Sequence, residues 1–132
     1  MNKPYLIKFD KIGNKSIGYI SVAESVGKNI PFEIKRVYWT YYTPNEVNRG
    51  FHAHRNLAQV ITAVSGVIEL KLENKENETF NFILDSPSIG LYIPKLHWRE
   101  ISFSHNAVLM CLASESYNEC DYIRNYQEFL DI

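Results

Sequence analysis

Short apolar, β-branched and aromatic runs separated by turn residues recur along the chain as strands do, and one of them, 67–72, alternates apolar and polar positions with the period of two of a half-buried strand. Residues 5–9 form the first such run, and Gly13 and Asn14 supply turn chemistry over residues 10–16. Residues 17–22 read as a second strand, and the β-branched and aromatic run 34–42 as a third. A turn at 43–46 then leads into Arg49-Gly50-Phe51-His52-Ala53-His54-Arg55. The segment 57–64 fits two periods, because Leu57, Val60, Ile61 and Val64 also recur at helical spacing. Its β-branched content and the Ser65-Gly66 turn favour a strand, hairpinned to the alternating run 67–72. Beyond a polar tip at 73–78, strands are predicted over 80–84, 91–93, 98–103 and 107–113, the second of them ended by Pro94. Only the tail has a helical period: Tyr122, Ile123, Tyr126, Phe129 and Leu130 predict one helix, with Glu119 and Asp121 near its start. The pattern predicts an all-β fold, a jelly-roll barrel of antiparallel strands with a short C-terminal helix packed outside.

Composition narrows the partners. A chain of 132 residues is expected to form a single domain over 1–132, and its net charge of -1, with both signs interspersed, argues against nucleic acid and anionic membrane surfaces. The first residues lack the features of a signal peptide and no apolar run reaches spanning length, so a cytoplasmic protein acting on a small ligand is expected. Cys111 lies inside an apolar run and reads as a core thiol, and Cys120 as an incidental one.

The candidate chemistry sits at His52 and His54. On a strand both side chains fall on one face, where paired imidazoles can bind a metal, transfer protons or bind an anion. The series Gly50, His52, His54, Gln59, Gly66 resembles the first motif of the cupin superfamily, with an amide where metal-binding members carry a glutamate. Pro94-Lys95-Leu96-His97 resembles the second motif without its glycine. A neutral amide is a weak ligand for a divalent ion and a good partner for a hydroxyl or an imidazole, so Gln59 argues against a required metal and no cofactor is expected. For proton transfer beside a ketone, an enediolate needs a nearby cation or donor, and Arg49 or Tyr38 could serve.

A narrower resemblance covers nearly the whole chain. Arg36-Val37-Tyr38, the Arg49 to Arg55 string, Gln59, Ser65-Gly66, and the tail with Ala113-Ser114, Tyr117, Glu119, Asp121-Tyr122-Ile123-Arg124 and Tyr126 resemble the dTDP-sugar 3,4-ketoisomerases. The resemblance implies a metal-independent isomerase that converts dTDP-4-keto-6-deoxyglucose to a 3-keto-6-deoxyhexose on the way to 3-amino-3,6-dideoxy sugars of bacterial polysaccharides or natural products. It implies His52 and His54 as the catalytic pair, and Arg36, Tyr38, Arg49 and Gln59 as groups facing a dTDP-linked 4-keto-6-deoxy sugar. Trp98 is a candidate for stacking on thymine. It also implies a homodimer with exchanged N-terminal strands, a part that residues 5–9 could play. Tyr122 and Ile123 match too, but their spacing assigns them to helix packing.

Two other readings compete. A cupin sugar-nucleotide 3,5-epimerase pairs its histidine with an aspartate, and the sequence shows no aspartate adjacent to either imidazole. A non-enzymatic cupin, binding sugar or metal as a sensor, would leave the histidines without a catalytic role.

Overall fold

Backbone pairing in the computed structural model, which describes residues 2–132, builds two five-stranded antiparallel sheets and one small hairpin. In chain order the strands are β1 (Tyr5–Lys8), β2 (Ile12–Asn14), β3 (Gly18–Ile20), β4 (Arg36–Tyr41), β5 (Asn48–His54), β6 (Gln59–Ser65), β7 (Ile68–Glu73), β8 (Thr79–Leu84), β9 (Ile89–Ile93), β10 (Trp98–Phe103), β11 (Val108–Ala113) and β12 (Tyr122–Ile123), followed by helix α1 (Tyr126–Asp131). One sheet runs β1-β9-β6-β11-β4, the other β12-β5-β10-β7-β8, and β2 pairs with β3. The all-β barrel with a short terminal helix follows the alternation pattern, and the ambiguous segment is strand β6.

The core explains why the period of two prevails. On β7, Ile68, Leu70 and Leu72 are buried while Glu69 and Lys71 are exposed, and they meet Ile61, Ala63, Leu84, Leu91 and Leu109 from the facing strands. A second apolar group, Ile7, Phe9, Ile30, Val60 and Leu112, lies under residues that follow the hairpin. A third, Ala53, Trp98, Ile123 and Phe129, fixes the C-terminal tail to the second sheet. At the Ser65-Gly66 turn a Cβ on Gly66 would come within 2.5 Å of the Ala107 Cα at a φ of +72°, so this turn needs glycine.

Two expectations are corrected. Residues expected to turn around 10–16 instead contain strand β2, whose Ile12 pairs with Ile20 and Asn14 with Gly18; the reversal comes after Asn14. The tail is not one helix. Tyr122 and Ile123 pair with His54 and Ala53 as an added strand, since an edge of β5 offers backbone partners that a lone helical turn lacks. Helix α1 begins only after Asn125, whose side chain accepts the Glu128 N–H at 2.9 Å as an N-cap.

Trp98 is 6% exposed and its ring lies 5.9 Å from that of Phe129 and 5.3 Å from that of Tyr126. Replacing Trp98 by Ala should cost about 3–5 kcal/mol, read as a lowered urea midpoint; a midpoint equal to that of the parent protein would show that the ring is not a core element.

Candidate active site

A local break in β5 shapes the site. Arg99 and Glu100, adjacent on β10, pair with His52 and Gly50, so Phe51 is skipped and bulges out. Gly50 and Phe51 have φ values of +95° and +56°, and a Cβ at Gly50 would meet the Arg99 carbonyl oxygen at 2.8 Å. Beside the bulge, a cavity of about 550 Å³ opens between the sheets, with Arg36, Tyr38, His52, Gln59, Arg99 and Tyr122 among its walls. That size is in the range of small-molecule sites.

The imidazoles are oriented by oxygen acceptors. Nδ1 of His52 lies 3.0 Å from the Gly50 carbonyl and Nδ1 of His54 lies 3.1 Å from the Asp121 carboxylate. A carbonyl and an ionised carboxylate only accept, so both rings donate from Nδ1 and keep the lone pair on Nε2. The rings meet edge to face at 4.9 Å, as their shared strand face requires, and Tyr122 packs on both, at 5.2 Å from His52 and 4.5 Å from His54. His52 lines the cavity, whereas His54 sits behind it, 1% exposed, its Nε2 without a hydrogen-bond partner among the described residues. Burial, then the Arg99 cation, lowers the His52 pKa from 6.5 to about 4. Burial, then Arg99, holds His54 below its ordinary value as well, although its Nδ1 lies beside the Asp121 carboxylate.

Arg99 is 2% exposed and donates to the Gln59 Oε1 and, at 3.1 Å, to the His97 carbonyl. Because Gln59 accepts through its oxygen there, its amide nitrogen must donate, and it lies 2.9 Å from the Tyr38 hydroxyl and 3.2 Å from the Cys111 sulfur. Burial raises the Tyr38 phenol well above its usual value, so it stays a neutral donor. Burial likewise raises the Cys111 thiol to about 11, which removes it as a thiolate. Arg36 stacks 5.4 Å from the Tyr38 ring and 5.6 Å from the Tyr117 ring, with its Nε unpartnered among the described residues. Arg124, held by Glu119 at 2.7 and 3.0 Å, lies 4.2 Å over the Tyr122 ring at the cavity wall.

Of the residues singled out in the sequence, Arg36, Tyr38, Arg49, His52 and Gln59 line one cavity. Arg49 is exposed, and no ion pair joins it to Glu46 among the described residues. Trp98 does not line the cavity; it packs with Ala53, Ile123 and Phe129. His97 does not join the other histidines, its Nδ1 donating to the Lys95 carbonyl and its ring lying 6.3 Å from Phe80. Among the described residues, no three His, Cys, Asp or Glu side chains converge as metal ligands. The aspartate counted as missing is present: Asp121, 67 residues from His54 along the chain, is its partner. Arg99, Tyr122 and Arg124 were missed. Arg99 could have been found, since on β10 it shares a face with the inward Ile101 and Phe103. Tyr122 was hidden by its helical spacing to Tyr126.

Comparison with known proteins gives concordant matches. The family described as "FdtA: WxcM-like, C-terminal" matches residues 2–132. The TDP-4-oxo-6-deoxy-alpha-D-glucose-3,4-oxoisomerase of Aneurinibacillus thermoaerophilus is 42% identical over 125 residues, 94% of this chain and 88% of that protein. A sugar 3,4-ketoisomerase from Thermoanaerobacterium thermosaccharolyticum, solved in complex with TDP, superposes with a TM-score of 0.90 at 41% identity, covering 97% of this chain and 92% of that one. A TDP-quinovose 3,4-ketoisomerase from Campylobacter jejuni superposes with a TM-score of 0.91 at 40% identity over 100% of both chains.

Both imidazoles titrate lower when folded than when unfolded, so the unfolded chain binds more protons below pH 6.5. The stability they contribute is complete above that pH and is lost as pH falls below about 6.5, down to about 4 for His52 and further for His54. His54, 1% exposed, can account for at most about 1.4 kcal/mol per pH unit. The urea midpoint should fall through this window, and the His54→Asn variant should show a shallower slope; equal slopes would mean that His54 is not held neutral by the fold.

Proposed function

The chain belongs to the FdtA family, whose similar members are TDP-sugar 3,4-ketoisomerases, and is itself a sugar-nucleotide 3,4-ketoisomerase; from this we propose that it converts dTDP-4-keto-6-deoxyglucose to a dTDP-3-keto-6-deoxyhexose through an enediol or enediolate. The carrying observation is the cavity itself, in which His52, its Nδ1 hydrogen committed to the Gly50 carbonyl, lines a space walled by Arg36, Arg99 and Tyr38.

The chemistry follows from those groups. His52 removes the proton from C3 while the C–H electron pair forms the C3=C4 bond and the C4 carbonyl becomes an enolate oxygen. Charge on that oxygen is stabilised by the Arg99 and Arg36 cations and by donation from Tyr38. Delivery of a proton to C4, with loss of the hydroxyl proton at C3, completes the move of the carbonyl. His54 shares the proton traffic from behind His52. No oxidant or reductant is consumed. Arg49 and Arg124 at the rim suit the diphosphate of the nucleotide. The product, a ketone next to its former position, is a substrate for transamination to a 3-amino sugar.

A homodimer in the cytoplasm belongs to the same proposal. Val37, Trp39 and Tyr41 on the outer face of β4 are exposed, Trp39 by 61%, and the β2–β3 hairpin exposes Ile12, Ile17 and Ile20. Strand β1 pairs only at a sheet edge, with β9, and could be donated to a second copy. No helix is long and apolar enough to cross a membrane among the described residues.

In deuterium oxide, dTDP-4-keto-6-deoxyglucose should give a 3-keto product carrying deuterium at C4, with activity that survives EDTA. His52→Asn should lower kcat by about 10²–10⁴-fold. No exchange or rearrangement with any 4-keto sugar nucleotide would sink the proposal. Sedimentation should show a dimer that Trp39→Glu weakens; a monomer at micromolar concentration would remove the dimer from it.

A further inference from the structure

Asp121 is held from several directions. One carboxylate oxygen accepts the Asn56 N–H at 2.7 Å, and the other faces the Leu57 N–H at 3.4 Å and the His54 Nδ1 at 3.1 Å. Its backbone carbonyl accepts the Arg55 N–H at 2.9 Å. The carboxylate therefore cannot turn away from His54 without undoing the chain reversal that ends β5. Its side chain is 10% exposed and that of His54 is 1% exposed, so water does not substitute for this contact.

The far side of the same ring is empty of donors. Nε2 of His54 is buried with no partner among the described residues, next to His52 and Tyr122. A buried acceptor left unsatisfied is costly, and such groups persist where function uses them. The alternative tautomer, protonated at Nε2, would set the Nδ1 lone pair against the Asp121 carboxylate, a repulsion at 3.1 Å in a poorly screened place.

We infer that Asp121 is a positioning residue: by accepting the Nδ1 hydrogen of His54 it fixes the tautomer whose Nε2, buried beside His52, can accept the proton that His52 takes from the sugar during turnover, and it stabilises the imidazolium so formed. The hydrogen arrives as a proton, leaves its electron pair on the sugar and is returned in the second half of the reaction. The catalytic half of this inference rests on the ketoisomerase reading; the tautomer does not.

Asp121→Asn is the discriminating variant. The Asn carbonyl can keep the Asn56 N–H, which turns the amide NH₂ toward His54 Nδ1 and forces the hydrogen onto Nε2. Two-dimensional ¹⁵N spectra of the imidazoles should show Nδ1–H at His54 in the parent protein and Nε2–H in Asp121→Asn. The variant's kcat should fall by about 10²–10⁴-fold with KM within a few-fold, and Asp121→Glu, which keeps the anion, should retain more activity than Asp121→Asn at equal stability. An Nε2–H signal at His54 in the parent protein overturns the inference, and that spectrum decides even if the variants fail to fold. A switched tautomer with unchanged kcat overturns the catalytic half. Absence of activity on every 4-keto sugar nucleotide, with the Nδ1–H tautomer present, would refute the ketoisomerase reading and leave the tautomer assignment standing.

Discussion

The guanidinium of Arg99, enclosed with no carboxylate paired to it among the described residues, is the constraint from which the rest of the site follows. Removing an ion from water costs several kcal/mol, and here, among the described residues, the guanidinium donates to the Gln59 amide oxygen and the His97 carbonyl. Gln59 is thereby locked in one orientation, and its nitrogen is committed to Tyr38 and Cys111. Burial, and after it the same charge, depresses both His52 and His54. One buried cation thus sets the direction of the hydrogen bonds and adds to the burial that keeps the imidazoles neutral. An amide at position 59 suits this arrangement where a carboxylate would pair with the arginine and cancel its field. A cavity walled by Arg36 and Arg99 also repels a divalent ion.

The fold was legible wherever one face of a strand is buried and the other is wet. β7, with Ile68, Leu70 and Leu72 alternating against Glu69 and Lys71, is the clearest case, and β6 was decided by its β-branched residues over a competing helical period. The tail was not legible in the same way. Tyr122, Ile123, Tyr126 and Phe129 recur at helical spacing, yet Tyr122 and Ile123 take backbone partners on β5 that lie nearly seventy residues earlier in the chain. A local period cannot report a non-local hydrogen bond. β2 was hidden by Gly13 and Asn14, which are turn formers but here occupy a strand, one of whose pairs is Gly13 with Tyr19.

The site divides along the same line. His52 and His54 were found because two imidazoles at alternate positions of a strand must share a face; Arg49 and Tyr38 were added as the cation or donor that an enediolate needs, and Arg36 and Gln59 through resemblance. Asp121 was out of reach, because its pairing with His54 exists only once β12 has been laid beside β5. Trp98 was assigned to a base-stacking role on its chemistry, while its surroundings, Phe129 and Tyr126, make it part of the packing that holds the tail.

The segment that carries Asp121, behind His54, and Tyr122 and Arg124, on the cavity wall, is joined to the barrel by a strand of two residues, with Ile123 and Phe129 as its buried anchors. Segments with so few backbone bonds and buried contacts open at a lower free energy than the sheets they lie on. The active site is therefore a composite of two units of unequal stability, and its integrity is set by the weaker one. Agents that loosen the last dozen residues, such as mild denaturant or a carboxypeptidase, act on the chemistry while leaving the spectrum of the β-barrel intact. Catalytic competence in this fold is a local property of the tail's docking, separable from whether the protein is folded.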